Sequence, residues 1–172
     1  VLSYQEILRL CRIFARLGLS KIKLTGGEPL VRKGMDRLIA DMKSIEGINC
    51  VTLTTNGLLL ADQIDDLVNC GLDGVNISLD TLDPEQFKEI TRRDALDKVL
   101  AGLNAALSYP SLNVKLNCLP MGRNDDQLVP LVGLARDTRL SVRFIEVMPI
   151  GLGKSLAHRS EEDVRAILEA AY

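Results

Sequence analysis

The stretch KIKLTGGEPLVRKG, Lys21 to Gly34, runs a short strand directly into two glycines, a glutamate and a proline. A plain turn would need only one of those glycines. Glycine tolerates positive φ and lets backbone N–H groups approach a ligand with no Cβ in the way. Glu28 then offers acceptors suited to an ammonium group, and Pro29 stiffens the exit. The element reads as a tight strand-to-helix turn with a solvated glutamate, or as a loop built to meet a small ligand.

Outward from that stretch the chain alternates strand and helix. Residues 3–18 are amphipathic, with Ser3 and Glu6 in a capping-box pattern and Gly18 as a stop. Further helices are predicted over 34–47, 61–71 with Asp62 as cap, and 83–91 with Asp83 as cap and Pro84 at the first helical position. Three more follow over 95–109, 124–138 with Asn124 as cap, and 160–172 capped by Ser160. Pro130 is expected to distort the helix it lies in. Strands are predicted over 21–25, 50–57, 74–80, 113–120 and 141–149, the second closed by Asn56-Gly57. Such alternation implies parallel strands joined by right-handed crossovers, an α/β fold. It is either a piece of a (β/α) barrel or a doubly wound sheet, with no linker dividing residues 1–172, so one domain is expected.

Composition narrows the function. The 172 residues are 47% hydrophobic but only 3% aromatic, so the core is aliphatic. Net charge is −2, from 21 basic and 23 acidic residues, which leaves no broad basic field for a nucleic-acid backbone. No apolar run reaches membrane-span length and no signal peptide is visible, so neither nucleic acid nor membrane is an expected partner and a cytoplasmic location is expected. The chain begins with Val1 and not Met, as an internal piece of a longer protein would. Cys11, Cys50, Cys70 and Cys118 form no C-x-x-C, so no local zinc or iron–sulfur clip and no metal site is expected. His158, the only histidine, reads as a surface residue.

In either architecture, ligands meet the C-terminal ends of the strands. The second strand ends in Thr54, Thr55, Asn56 and Gly57. Alternation puts Asn76, Ser78 and Asp80 of the third on one face, which calls for a polar cavity or dense hydrogen bonding. In the fourth, Lys115 lies between Asn113 and Asn117; it either meets an anion inside a barrel or faces water from an edge strand. In the fifth, Arg143 and Glu146 cannot share a face of an ideal strand, and Met148 suits an apolar slot or the core. No G-x-G-x-x-G follows the first strand, and GGEP has the wrong spacing for that or for a P-loop. A carboxylate after the glycines favours an amine over a pyrophosphate.

Taken in order, KIKLTGGEPL, LTTNG, NISLDTLDPEQFKEITRRD, VKLNC and RFIEVMPIG resemble the GTP 3′,8-cyclase family of molybdenum cofactor biosynthesis, lyases of the radical S-adenosylmethionine superfamily. The resemblance implies a truncated radical SAM core: a partial (β/α) TIM-like barrel of about five parallel strands with flanking helices, the first barrel strand missing. It implies S-adenosylmethionine at Gly26, Gly27, Glu28, Ser78 and Met148, and GTP at Lys23, Thr54 and Lys115. Arg143 lies in a familiar motif without an assigned role, and no catalytic residue is assigned. Lys23 departs from the arginine usual at its position, keeping the charge but losing bidentate geometry. The family's reaction converts GTP to (8S)-3′,8-cyclo-7,8-dihydroguanosine 5′-triphosphate by way of a 5′-deoxyadenosyl radical. Its [4Fe–4S] cluster ligands, a C-x-x-x-C-x-x-C loop and C-terminal cysteines, are not in this chain, so the chain reads as a central part, inactive by itself. An exposed first-strand edge implies a homodimer or edge-strand self-association. Another radical SAM enzyme, such as a peptide-modifying maturase, and a non-catalytic nucleotide-binding α/β module are the alternatives.

Overall fold

In the computed structural model, four of the five strands alternate between a more buried and a more open face, β3 being buried from Gly74 to Ile77, and this alternation decides where the helices go. The structure describes residues 2–172, apart from the side chain of Leu152. The strands are β1 Lys21–Leu24, β2 Cys50–Thr55, β3 Gly74–Ser78, β4 Asn113–Cys118 and β5 Ser141–Phe144. The helices are α1 Tyr4–Arg16, α2 Met35–Lys43, α3 Leu60–Asn69, α4 Pro84–Thr91, α5 Leu96–Leu107, α6 Asp125–Gly133 and α7 Glu161–Glu169. Short 3-10 turns lie at Pro29–Val31 and Gly151–Ser155.

All four strand pairings are parallel, and the order across the sheet is β1-β2-β3-β4-β5. A doubly wound sheet reverses its order at a switch point, and this one does not. Sequential order with right-handed crossovers instead stacks the helices on one side, as in the wall of a (β/α) barrel. Val51, Leu53, Val75, Ile77, Val114 and Leu116 form the covered face and join one aliphatic core with Ile39, Ile64, Leu67, Val99, Leu103 and Leu128 of the helices. The opposite face carries Lys23, Thr52, Thr54, Asn76, Lys115 and Arg143. β1 and β5 are each paired on one side only.

Local signals place most helix ends. Ser3 with Glu6 and Ser160 with Asp163 form complete capping boxes, and the Asp83 carboxylate caps α4 through Gln86 N. Two expected caps are corrected. α3 starts at Leu60 with Leu59 at the cap position, so Asp62 lies inside its first turn, where its charge still favours the helix dipole. Asn124 occupies the cap position of α6, but its side chain makes no capping bond. Several predicted ends also move. α2 stops at Lys43 rather than near Gly47, which follows in a turn with φ 93°. α6 stops at Gly133 rather than Thr138, because the N–H groups of Leu134, Ala135 and Arg136 turn to carbonyls three residues back. β5 stops at Phe144 rather than running to Pro149, because its partner β4 ends at Cys118, opposite Phe144. At Gly102 in α5 an added Cβ would stand 2.8 Å from the Gly57 carbonyl oxygen, so the missing side chain lets the β2–α3 turn seat on α5.

No helix among the described residues is long and apolar enough to cross a membrane.

At the N-terminal end of the sheet, one ion pair joins three elements. Lys43 Nζ donates to both carboxylate oxygens of Asp73, at 3.0 and 2.9 Å, and to Asn49 O at 3.0 Å. Asp73 Oδ2 also accepts from Val51 N at 2.6 Å. Lys43→Met keeps the aliphatic stem and strands the part-buried carboxylate. It is expected to lower stability by about 1–3 kcal/mol, read as a fall in the urea midpoint with unchanged slope; an unchanged midpoint would refute the role of the pair.

Candidate functional site

The glycines after β1 leave bare backbone. A Cβ built on Gly26 or Gly27 would meet nothing within 4 Å, and Gly26 has φ 148°. Gly27 has no positive φ, so its value lies in open space rather than in conformation. Glu28 then turns back onto its own neighbourhood. Its Oε1 accepts from Thr55 Oγ1 at 2.7 Å and Leu30 N at 3.1 Å, and its Oε2 accepts from Asn56 N at 2.7 Å. A carboxylate offers about four acceptor sites, so these three bonds orient Glu28 and leave room for one further donor. Among the described residues no cation pairs with it. The remaining acceptor position suits one N–H of an ammonium group, and the carboxylate's charge complements it. Thr55 and Asn56 are thus supports of Glu28, and Asn56 Oδ1 accepts from Leu58 N as the turn reading expects.

On the open face the strand register arranges side chains in rows. Lys23 lies beside Thr52, and Thr52 beside Gly74. In the next row Thr54 pairs with Asn76 and Asn76 with Lys115. Ser78, Asn117 and Arg143 form the row above. Asn76 Nδ2 donates to Thr54 Oγ1 at 3.2 Å, which leaves the Thr54 hydroxyl proton free to donate elsewhere. Lys21, Lys23, Lys115 and Arg143 line one cleft of about 280 Å³ with no carboxylate in its lining. None of the four makes an ion pair among the described residues. Four clustered cations without a carboxylate among the lining residues make the cleft positive. β4 lies between β3 and β5, so the edge-strand reading of Lys115 is excluded.

The structure therefore brings Lys23 and Lys115 to one cleft, with Thr54 in the row of Lys115, one above that of Lys23, and Ser78 a row beyond. It adds Arg143, whose role sequence reasoning left open, and Lys21, which that reasoning missed; two-residue spacing from Lys23 was the available signal. Arg143 and Glu146 part company as expected, since Glu146 lies beyond β5 and pairs with His158 Nε2 at 2.7 Å. Met148 is 71% exposed beyond β5, and no apolar slot surrounds it. Asp80 does not extend the polar row of Asn76 and Ser78. It follows the end of β3, and its carboxylate accepts from Leu119 N at 2.8 Å. Burial raises its pKa, against smaller opposing effects of that bond and of Arg123. Asn117 Oδ1, in the uppermost row, is buried without a donor.

The cysteines do not fit an iron–sulfur cluster. Cys11 and Cys118 are buried, and burial raises both thiols well away from the thiolate a metal needs. No group of three potential ligands gathers among the described residues.

The chain belongs to the radical SAM superfamily, whose family profile matches residues 1–135. Among curated relatives it is 45% identical over 157 residues to the GTP 3′,8-cyclase of Peptoclostridium acidaminophilum, covering 91% of this chain and 48% of the relative. It is 45% identical over 150 residues to the mitochondrial GTP 3′,8-cyclase of Arabidopsis thaliana, covering 87% of this chain and 38% of the relative. With the enzyme of Syntrophomonas wolfei the identity is 44% over 176 residues, covering 100% of this chain and 54% of the relative. The chain thus spans about half the length of the curated relatives it matches. Its fold is shared with coproporphyrinogen III oxidase from Escherichia coli, at TM-score 0.66 and 16% identity over 98% of this chain and 44% of that one. Methylornithine synthase is similar at TM-score 0.65 and 17% identity, over 83% of this chain and 44% of the other.

Asp80 carries a pH signature. An acid whose pKa rises on folding holds its proton more tightly when folded. Its contribution favours the native state below the unfolded value, near 3.8, and is lost as pH rises through the folded value. Asp80→Asn keeps an acceptor for Leu119 N and removes the charge. The stability of the wild type relative to Asp80→Asn should therefore fall as pH is raised from about 4 towards neutrality. Parallel stability–pH curves from denaturant titrations would contradict this.

Proposed function

We propose that residues 1–172 form the central part of a GTP 3′,8-cyclase of molybdenum cofactor biosynthesis. The observation that carries this reading is the cleft of Lys21, Lys23, Lys115 and Arg143, positive and free of carboxylates, on the open face of a radical SAM sheet. The relatives' printed names supply the substrate whose triphosphate such a cleft would hold.

In this reading Lys23 and Lys115 neutralise the triphosphate, and the Thr54 hydroxyl donates to a phosphate oxygen. Arg143 supplies the planar fork that Lys23 lacks in place of an arginine. Glu28 accepts from the α-ammonium of S-adenosylmethionine, the bare backbone of Gly26 and Gly27 lies along its methionine part, and Ser78 and Met148 complete the contact. S-adenosylmethionine, when bound beside a reduced [4Fe–4S] cluster that donates the electron for its cleavage, would supply a 5′-deoxyadenosyl radical for the GTP ribose. The chain's own residues bind, orient and exclude water.

The test uses the full-length holoenzyme. Lys115→Ala is expected to raise KM for GTP by about 10- to 100-fold, the value of one charge-assisted contact. The affinity for guanosine should not change, and the 172-residue chain alone should form no 5′-deoxyadenosine after anaerobic reconstitution. Equal losses for GTP and guanosine would sink the triphosphate assignment. The free edge of β1 is expected to support self-association of the chain, visible as mass rising with concentration in light scattering; a constant monomer mass would oppose it.

A further inference from the structure

We propose that Asn124 is a positioning residue that sets the offset between the strand end bearing Ser78 and the strand bearing Lys115. The inference rests on the functional reading above, in which Ser78 touches the cofactor and Lys115 the substrate.

Asn124 stands where a helix cap belongs, yet its side chain is fully buried and turned away from the helix. Its Nδ2 forks onto two carbonyls, Asp80 O at 2.8 Å and Leu119 O at 3.0 Å, while its Oδ1 accepts from Met121 N at 2.8 Å. Both donors and the acceptor are used. The position of the fork gives it meaning. Ser78 and Asn117 are register partners, and Leu79 N donates to Asn117 O at 2.9 Å. Asp80 and Leu119 each lie two residues beyond that partnership, where the ladder has ended. The Asn124 fork and the bond from Leu119 N to the Asp80 carboxylate therefore add a side-chain rung between the diverging strand ends. Two outer contacts extend it: Leu82 N to Gln127 Oε1 at 3.0 Å, and Gln86 Nε2 to Arg123 O at 2.9 Å.

Neighbouring strand ends are held differently. β1 and β2 are bridged through Glu28, itself a proposed ligand group. Just beyond β4 and β5, Ile145 N donates to Cys118 O. Beyond the ends of β3 and β4, where the proposed cofactor strand meets the proposed substrate strand, a fully buried side chain makes the cross-link. Reacting groups held on two strands are sensitive to offset, since a misplacement of about 1 Å can cost about a hundredfold in rate. One residue, Leu79, separates Ser78 from the clamp at Asp80, so a shift at Asp80 reaches Ser78 directly. Loosening the clamp would leave each ligand's own contacts in place and spoil their mutual distance.

The experiment compares Asn124→Ala and Asn124→Asp with the wild-type holoenzyme. Asn124→Asp keeps the acceptor for Met121 N and removes both donors. Three quantities are read: 5′-deoxyadenosine formed per GTP consumed, equilibrium Kd for S-adenosylmethionine and for GTP, and the denaturation midpoint. The ratio should rise about threefold or more in both variants, with each Kd within about twofold of wild type. Lys43→Met, which weakens the opposite end of the sheet, serves as the stability control and should leave the ratio unchanged. A ratio that stays at the wild-type value, rises equally in Lys43→Met, or rises only with weakened binding of one ligand overturns the inference. If the Asn124 variants do not fold, Gln127→Ala, which removes the next contact outward, must raise the ratio; no change there also overturns it. A wild-type holoenzyme that consumes no GTP would instead defeat the functional reading, a result distinct from all of these.

Discussion

A sheet of parallel strands is normally apolar on both faces, because helices cover both. Here the alternation of Lys21, Lys23, Thr52, Asn76, Lys115 and Arg143 with Ile22, Val51, Leu53, Val75, Leu116 and Val142 forbids that arrangement. Helices can dock on one face only, since covering the other would bury four uncompensated cations at a cost no aliphatic packing could offset. The remaining solution is a curved wall with helices outside and charge inside. The one-sided placement of the helices and the open, charged face of the sheet follow from that constraint.

The same division makes the open face chemically specific. Among the described residues the positive charge there has no carboxylate partner. The carboxylate of Glu28 is the converse case. Hydrogen bonds from Thr55, Leu30 and Asn56 hold it without neutralising it. One sheet face and its rim thus hold an anion-seeking cleft and a cation-seeking carboxylate. No glycine fingerprint for a dinucleotide pyrophosphate accompanies them.

Much of this was legible in the chain itself. Two-residue alternation and capping signals located all five strands and seven helices, and Ser3, Asp83 and Ser160 cap as their local chemistry demands. Errors arose where tertiary partners override local preference. β5 ends early because β4 leaves it. Asp80 turns to Leu119 N because the two strand ends diverge and an unpaired N–H needs an acceptor. Asn124 abandons its cap because two carbonyls of the rim lie closer to hand. Lys21 went unremarked because a first-strand lysine reads as solvated until its neighbours on β2 and β4 are known.

What the sequence by itself determined was the period of two in the strands, the helix boundaries set by caps, and a loop of glycines followed by a carboxylate. These are local properties, carried by residues a few positions apart. The tertiary structure alone decided which strands are neighbours, and hence that Lys115 is interior and that cations from three strands share one cleft. It also decided that Thr55 and Asn56 serve Glu28, and that a buried asparagine ties the third strand to the fourth. Each depends on register between segments distant in the chain, which no local pattern encodes, because hydrogen bonds and charge act through space and not along the sequence.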